Sequence, residues 1–449
     1  MDARAALALL AAALPAAAQW SLPEVVRRAG EKNPGVRAAF EEAAAAAAGV
    51  NLARTAWLPK GDLLYQTNAA TRNNVFGMLL PQRVIAPISG PPVAESRPSM
   101  VFGTAAGMLV SWEPFDLGQR AARLAAANAS KELAQRAYER ERFEIQAAAA
   151  DAYISALAAA QLAEGAKADL ERARTLEAVT ERLAAAGLRP GADAARARAE
   201  RAAAEASAIQ AEQAARAARA ALSGITGDEP GAVRLEAGRL LSAAAAALPQ
   251  AGEHPRHAEA RAAAEAAQAS ARILEAAWRP RFEVQGALYG RGTGANFDQT
   301  RSGPPQGLYP SFYNWGAGFT VTFPFLDRPA VRAQQQEQLH RAAAEAARLN
   351  KVELALRTQI ETARAQLESA GRLAAAAPAQ IEAARAAHDQ ARIRFEAGLS
   401  GVAEAADARR LLSQAETSGA LARLGVWRAL LALAAAQGDL APFLEALER

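Results

Sequence analysis

The sequence predicts an α+β membrane protein in which one unit is written twice. Each copy supplies two membrane-spanning strands and one very long helical hairpin. Three observations carry this reading. Short motifs recur at a long, steady offset, hydrophobic periodicity switches from helical to alternating and back within each copy, and alanine replaces the usual core residues. Of 449 residues, 51% are hydrophobic but only 6% aromatic. A compact core draws more heavily on Leu, Ile, Val and Phe, whereas alanine favours long helices whose axes approach closely.

The N-terminus comes first. Arg4 precedes an apolar run over 5–14, followed by Pro15 and Ala16-Ala17-Ala18. This reads as a secretory signal peptide over 1–18, with cleavage before Gln19. Beyond it no run of 18 apolar residues is expected, so no helix spans a bilayer. Export then leads either to the periplasm or to insertion as β-strands.

The repeat defines the two halves. Asn33-Pro34 and Trp57-Leu58-Pro59 reappear, displaced by 221 residues, as His254-Pro255 and Trp278-Arg279-Pro280. Trp112-Glu113-Pro114-Phe115-Asp116 resembles Phe323-Pro324-Phe325-Leu326-Asp327, and Ala186-Gly187-Leu188 matches Ala397-Gly398-Leu399, at offsets of 210 and 211. The first copy thus holds about ten extra residues in one loop, where length changes are tolerated. Repeat 1 spans 19–226 and repeat 2 spans 227–449.

Within each copy a helix closed by Pro59 or Pro280 leads into alternation. In repeat 1, strands are expected at about 61–70 and 101–113. Leu63, Tyr65 and Thr67 oppose Asp62, Gln66 and Asn68; Phe102, Met108, Val110 and Trp112 oppose Gly103, Gly107 and Ser111. In repeat 2, strands are expected at about 281–290 and 315–326. Phe282, Val284 and Leu288 oppose Arg281, Glu283 and Gln285. Trp315, Ala317, Phe319, Val321, Phe323 and Phe325 oppose Gly316, Gly318, Thr320 and Thr322. Four segments of about ten residues with one apolar face have the length and pattern of membrane β-barrel strands. Trp112, Trp315 and Phe323 suit an interfacial girdle. A soluble antiparallel sheet packed on helices is the alternative from the strands alone.

Breaker-rich loops, 71–100 and 291–314, join each strand pair and fit the outer face of a barrel. Helical hairpins follow at 116–222 and 329–436, their first arms roughly 100 Å long at 1.5 Å per residue. Pro378 is expected to kink the second. Gly187-Leu188-Arg189-Pro190-Gly191 and Gly398-Leu399-Ser400-Gly401 turn the chain back. A smaller side element occupies 227–252. Membrane is expected at one end and hairpin tips at the other.

In order, duplication and spacing, these motifs resemble the TolC-like outer-membrane efflux proteins. The resemblance also rests on Asp193, on Phe395-Glu396 before Ala397, and on Glu404-Ala405-Ala406-Asp407-Ala408, and it covers almost all of the mature chain. It implies a homotrimer in the outer membrane of a Gram-negative-type bacterium. Each chain gives four strands to one barrel of roughly 12, continued by a periplasmic helical barrel. Four strands cannot close alone and would leave unpaired edges in lipid, so oligomerisation is also a physical requirement. The implied role is a passive exit duct of a tripartite efflux or type I secretion system. Its partners would be a periplasmic adaptor (membrane fusion protein), an inner-membrane pump and outer-membrane lipid.

Two sets of site residues follow from the resemblance. Gly187, Leu188, Gly398 and Leu399 correspond to the tips that meet the adaptor; the same residues also read as a helix C-cap and its staple. Glu404 and Asp407 correspond to the acidic constriction. Three apart on one helix face, they would gather six carboxylates in a trimer and favour cations. Two solvated acids near a helix start are the plainer alternative. An Arg that locks the closed gate in some members is Ser400 here, and its Tyr partner is Phe395, so a different resting lock is expected.

No chemistry competes with this. There are no cysteines, which excludes disulfides, thiolate metal sites, a cysteine nucleophile and N-terminal lipidation on cysteine. The net charge of +4 comes from basic residues interleaved with acids along helices, the pattern of a solvated face rather than of a nucleic-acid partner. His254 and His257 lie near Glu253 and Glu259, but His254 sits at a helix start in the Asn33 position, where capping is simpler than metal binding. No phosphate-binding glycine loop or catalytic carboxylate pair is found. No catalytic, cofactor or metal site is therefore expected, and the chain is not expected to be an enzyme. The rival of another class is a soluble periplasmic coiled-coil scaffold or adaptor, which would share the leader and the helices but would not need the four duplicated strands.

Overall fold

The computed structural model describes residues 19–71, 100–228, 234–241, 252–294 and 305–448. The leader reading over 1–18, nearly all of the loop at 71–100 and the middle of the loop at 291–314 lie outside the described residues. The chain runs β1 (Gln19–Trp20), α1 (Leu22–Lys32), α2 (Pro34–Thr55), β2 (Lys60–Thr71), β3 (Met100–Phe115), α3 (Gln119–Ala185) and α4 (Gly191–Thr226). It continues β4 (Arg234–Leu235), α5 (Pro255–Glu275), β5 (Arg281–Thr293), β6 (Phe312–Thr322), α6 (Arg328–Glu396), α7 (Val402–Gln437) and α8 (Ala441–Glu448). Two compact units result. One comprises 1–43, 133–262 and 346–449; the other comprises 44–132 and 263–345.

The second unit holds one four-stranded antiparallel sheet in the order β2-β3-β5-β6, so the two copies meet at β3–β5. Pairing aligns the alternation across all four strands. Leu63, Met108, Leu288 and Trp315 form one row, and Trp112, Val284 and Phe319 another. These rows share a face because directly paired residues point the same way. The opposite face carries Asp62, Ser111, Gln285, Gly316 and Gly318 in the corresponding rows. The apolar face is open in the protomer, with Leu63, Tyr313 and Trp315 about four-fifths exposed. Strands of 12, 16, 13 and 11 residues meet or exceed the roughly 9–11 that a tilted strand needs to cross a bilayer.

The last strand differs from its sequence expectation of 315–326. It begins at Phe312 and ends at Thr322, and Phe325–Asp327 form a 3-10 turn. Pro324 has no N–H to give to a ladder, so pairing stops before it. Phe323 and Phe325 are therefore not strand residues; their rings stack at 6.5 Å beside the strand end. At the start of each long helix the duplication is visible in side chains. Arg120 lies over the Trp57 ring at 5.4 Å, and Arg328 lies over Trp278 at 5.1 Å. Arg120 also binds the carbonyls of Ala56 and Pro114, each at 3.2 Å.

The first unit is held by a cluster in which large side chains fill gaps between alanines. Tyr153, Ile154, Leu222, Trp427, Leu430 and Phe443 are buried with Ala149, Ala150 and Ala434. The side element docks here: β4 pairs in parallel with β1. The Tyr153 hydroxyl lies 2.9 Å from the Trp20 carbonyl and 2.7 Å from that of Glu236, and accepts the Glu236 N–H at 2.8 Å. Burial pushes this phenol up to about 12. Two helices of this unit bear on the sequence reading. α7 does contain an 18-residue window apolar enough to cross a membrane by length and composition, and half of that window is buried in the protein. It is apolar because it supplies Trp427, Leu430, Leu431 and Leu433 to the core. Pro378 lies inside α6, and the helix continues on both sides of it. A helix of 69 residues accommodates the one missing N–H, the place where a kink is expected.

The repeat ends also correspond. Asn33 accepts the Gly35 N–H at 2.8 Å and donates to the Ile225 carbonyl at 2.9 Å. His254 accepts the Arg256 N–H at 3.0 Å, and its Nε2 lies 3.1 Å from the Ala435 carbonyl. Each residue caps one helix while tying down the end of the returning helix, α4 or α7. Those ends carry Gly227 at φ 73° and Gly438 at φ 84°. A Cβ on Gly438 would stand 2.6 Å from the His254 Cα, so the helix end and the cap approach too closely for any other residue.

Candidate functional site

The site begins with two glycines. Gly187 and Gly398 adopt φ 73° and 79°. At the first tip Leu188 N–H bonds the Leu183 carbonyl at 2.9 Å and Gly187 N–H bonds Ala184 at 3.0 Å. At the second, Leu399 bonds Arg394 at 2.8 Å and Gly398 bonds Phe395 at 3.0 Å. This is the same Schellman closure twice, and it satisfies carbonyls that the helix ends would orphan. The motif fixes where the next residue goes: Leu188 and Leu399 are 71% and 72% exposed. Nothing lies within 4 Å of a Cβ placed on either glycine. The tips are two like knobs, each offering a leucine.

Directly after Leu188, Arg189 reaches the second tip. Its Nη2 donates to the Ser400 carbonyl at 2.6 Å and the Phe395 carbonyl at 3.3 Å, and its guanidinium lies 5.0 Å from the Phe395 ring centre. Asp193, one turn on, stands 3.7 Å from Arg189 and balances its charge. Phe395 is buried with Ala197, Val402 and Ala405. Ser400 is buried as well, and its hydroxyl has no hydrogen-bond partner among the described residues. Phe395 and Ser400 thus meet through Arg189 and backbone carbonyls, not through their own polar atoms.

Glu404 and Asp407 lie in the first turns of α7 and are exposed, each facing an arginine. Arg394 stands 3.4 Å from Glu404, and Arg410 hydrogen-bonds Asp407. The Asp407 hydrogen bond and then the Glu200 charge push the Arg410 guanidinium above its usual range. Beside them Arg409 is buried, bonded to Asp169 of α3 and to Glu200 of α4, the latter at 3.3 Å. The return helix of the second hairpin is therefore pinned to both helices of the first, next to the acids. Breaking such a buried network by removing one partner costs about 3–5 kcal/mol.

The structure brings Phe395 and Ser400 together and closes both Gly-Leu tips alike. It leaves Glu404 and Asp407 at the surface of the single protomer, each neutralised locally. Sequence reasoning did not single out Arg189, Arg394, Arg409 or Arg410. Arg189 sits in a turn, where periodicity says nothing, and the other three look like ordinary members of a solvated helix face. Only Arg189's place in the Gly-Leu-Arg-Pro-Gly turn offered a signal.

The outer membrane efflux protein family matches this chain over residues 25–228 and 251–439, the two copies of the repeat. None of the curated proteins matches it by sequence. Solved structures do. The outer-membrane channel OprN is similar at a TM-score of 0.71 and 22% identity, over 93% of this chain and 90% of that one. The Campylobacter jejuni CmeC outer membrane channel gives 0.73 and 16%, over 93% and 85%. The open state of the Neisseria gonorrhoeae MtrE outer membrane channel gives 0.69 and 19%, over 93% and 89%. At these identities the likeness concerns the fold.

Proposed function

The chain belongs to the outer membrane efflux protein family, and on that footing we propose that three copies close one barrel and line one exit duct. It is an outer-membrane efflux channel protein, which sets aside the reading as a soluble scaffold or adaptor. The observation that carries the trimer is the sheet. β2 and β6 each have one pairing partner among the described residues, and the aligned apolar face is exposed. Open edges are intolerable in hydrocarbon, so the edges must pair with those of further copies. The duct passes solutes without chemical change.

The like tips, with Leu188 and Leu399 held out, support docking of a periplasmic adaptor that links the duct to an inner-membrane pump. Glu404 and Asp407 form the selective constriction, six carboxylates in the trimer, with Arg394 and Arg410 lowering its net charge. The repeats, each two strands and one helical hairpin, are the building blocks of this duct. Two measurements test the proposal together. Native mass spectrometry of detergent-extracted protein is expected to give a trimer. A photo-crosslinking amino acid at position 188 or 399 is expected to capture the adaptor, and one at exposed Leu373 is not. A monomer, or equal capture from all three positions, overturns it.

A further inference from the structure

We propose that the seam between neighbouring copies repeats, residue for residue, a seam already present inside the chain. In it β6 pairs antiparallel with β2 of the next copy, Phe319 opposite Thr67 and Ala317 opposite Ala69. The inference rests on the proposed trimer and adds the register in which its copies join.

The duplication supplies that register. Leu63 pairs with Met108 in the first strand pair; Val284, 221 residues beyond Leu63, pairs with Phe319, 211 beyond Met108. Lys60 with Ser111, and Arg281 with Thr322, obey the same two offsets. The two strand pairs therefore share one register. At their junction the second strand of one copy, β3, meets the first strand of the other, β5, with Met108 opposite Leu288. The two outer strands of the sheet, β6 and β2, are again a second strand and a first strand. Carried through the offsets, the junction's register sets Phe319 opposite Thr67, Val321 opposite Tyr65 and Thr320 opposite Gln66.

Two further observations agree with it. Ala317, Phe319 and Val321 meet Ala69, Thr67 and Tyr65, all on the apolar face, whereas a slip of one residue would set apolar face against polar. The second is a glycine. At the inner junction a Cβ on Gly107 would stand 2.5 Å from the Tyr289 Cβ, so the strands approach too closely there for a side chain. Gly318 holds the corresponding place in β6, yet nothing in the protomer lies within 4 Å of a Cβ placed on it. A glycine thus stands where only a neighbouring strand would require one. The row Leu63, Met108, Leu288, Trp315 also enters the next copy at Thr71 rather than at Leu63, giving the stagger that barrel closure needs.

Disulfide scanning reads the register directly, because the chain has no cysteine of its own. In the full-length protein Ala69→Cys is combined with Trp315→Cys, Ala317→Cys, Phe319→Cys or Val321→Cys, oxidised in outer membranes and run on non-reducing gels. Residues directly opposite lie within reach of a disulfide, and residues four places off do not. Covalent trimer is expected to peak with Ala317→Cys and to be lost with Val321→Cys. A second scan combines Gln66→Cys with Gly316→Cys, Thr320→Cys or Thr322→Cys and is expected to peak with Thr320→Cys. It uses the other face, should the first set disturb the strand, and samples the other kind of antiparallel pair. A peak elsewhere in either scan overturns the register and leaves the trimer standing. So does the absence of any cross-link in protein that native mass spectrometry finds trimeric. A monomer overturns both.

Discussion

Arg189 Nη2 donates to the Ser400 carbonyl at 2.6 Å, so the turn of the first hairpin holds the turn of the second. The side chain is mostly buried, and its guanidinium also covers the Phe395 ring. An arginine on one tip thus grips backbone on the other, a contact that does not use the Ser400 side chain.

Arg189→Ala is expected to free the second tip. Charge-assisted hydrogen bonds of this kind contribute about 1.5–3 kcal/mol each. Limited proteolysis within 396–402 should become faster by tenfold or more, and spontaneous channel openings more frequent. Arg189→Lys should fall between, because an ammonium reaches one carbonyl but lacks the planar fork. Unchanged proteolysis in both variants would show that the grip is incidental.

Replacing Glu404 and Asp407 together by alanine is expected to raise single-channel conductance and weaken block by divalent cations. Arg394→Gln should act oppositely and strengthen block, since it leaves Glu404 unpaired. The effects of exposed charges shrink at high salt. Unaltered single-channel traces would remove both acids from the constriction.

The tips separate capping from docking. Gly187→Ala or Gly398→Ala forces a Cβ into left-handed backbone, at a cost of about 1–2 kcal/mol, although the space around each is open. Leu188→Ser or Leu399→Ser should leave stability within about 0.5 kcal/mol, as for exposed positions, yet impair efflux in cells. A leucine variant with full efflux would leave these residues as staples only.

His254 gives a pH dependence. Burial, and then the Arg256 charge, hold its imidazole below the usual value, against the pull of the Ala435 hydrogen bond and of Glu144. Neutral Nδ1 accepts the Arg256 N–H; a proton there would meet another donor. The folded state therefore binds this proton less readily than the unfolded chain. Stability from this group is complete above the unfolded value near 6.5 and declines as pH falls through it toward the lowered folded value. His254→Asn, the residue the first copy uses, should keep the cap and reduce the loss of Tm between pH 7.5 and 5.5. An identical loss in both proteins would refute this account.

Tyr153→Phe is expected to cost about 1–3 kcal/mol, the penalty for leaving buried backbone groups of Trp20 and Glu236 unmatched. Because the hydroxyl fastens β1 and the segment around Glu236, hydrogen exchange should quicken there before it does in α3. Uniform exchange throughout would place the effect elsewhere.

By itself the sequence determined the class of fold and its duplication. Alternation such as Phe282, Val284 and Leu288 against Glu283 and Gln285 allows only a strand with one apolar face. Motifs like Gly187-Leu188 and Gly398-Leu399 carry their conformation locally, because a positive φ selects glycine wherever the chain folds. The ends of elements were less legible: Pro324 stopped a strand whose aromatic alternation ran on to Phe325, since a missing N–H outweighs a pattern of side chains. What only the tertiary structure decided are the partnerships between residues far apart in the chain. Arg189 with Ser400, Arg409 with Asp169 and Glu200, and Tyr153 with Trp20 depend on which helices pack together and in what register. Periodicity reports which face of a helix is buried. It does not say what the other side of the contact will be.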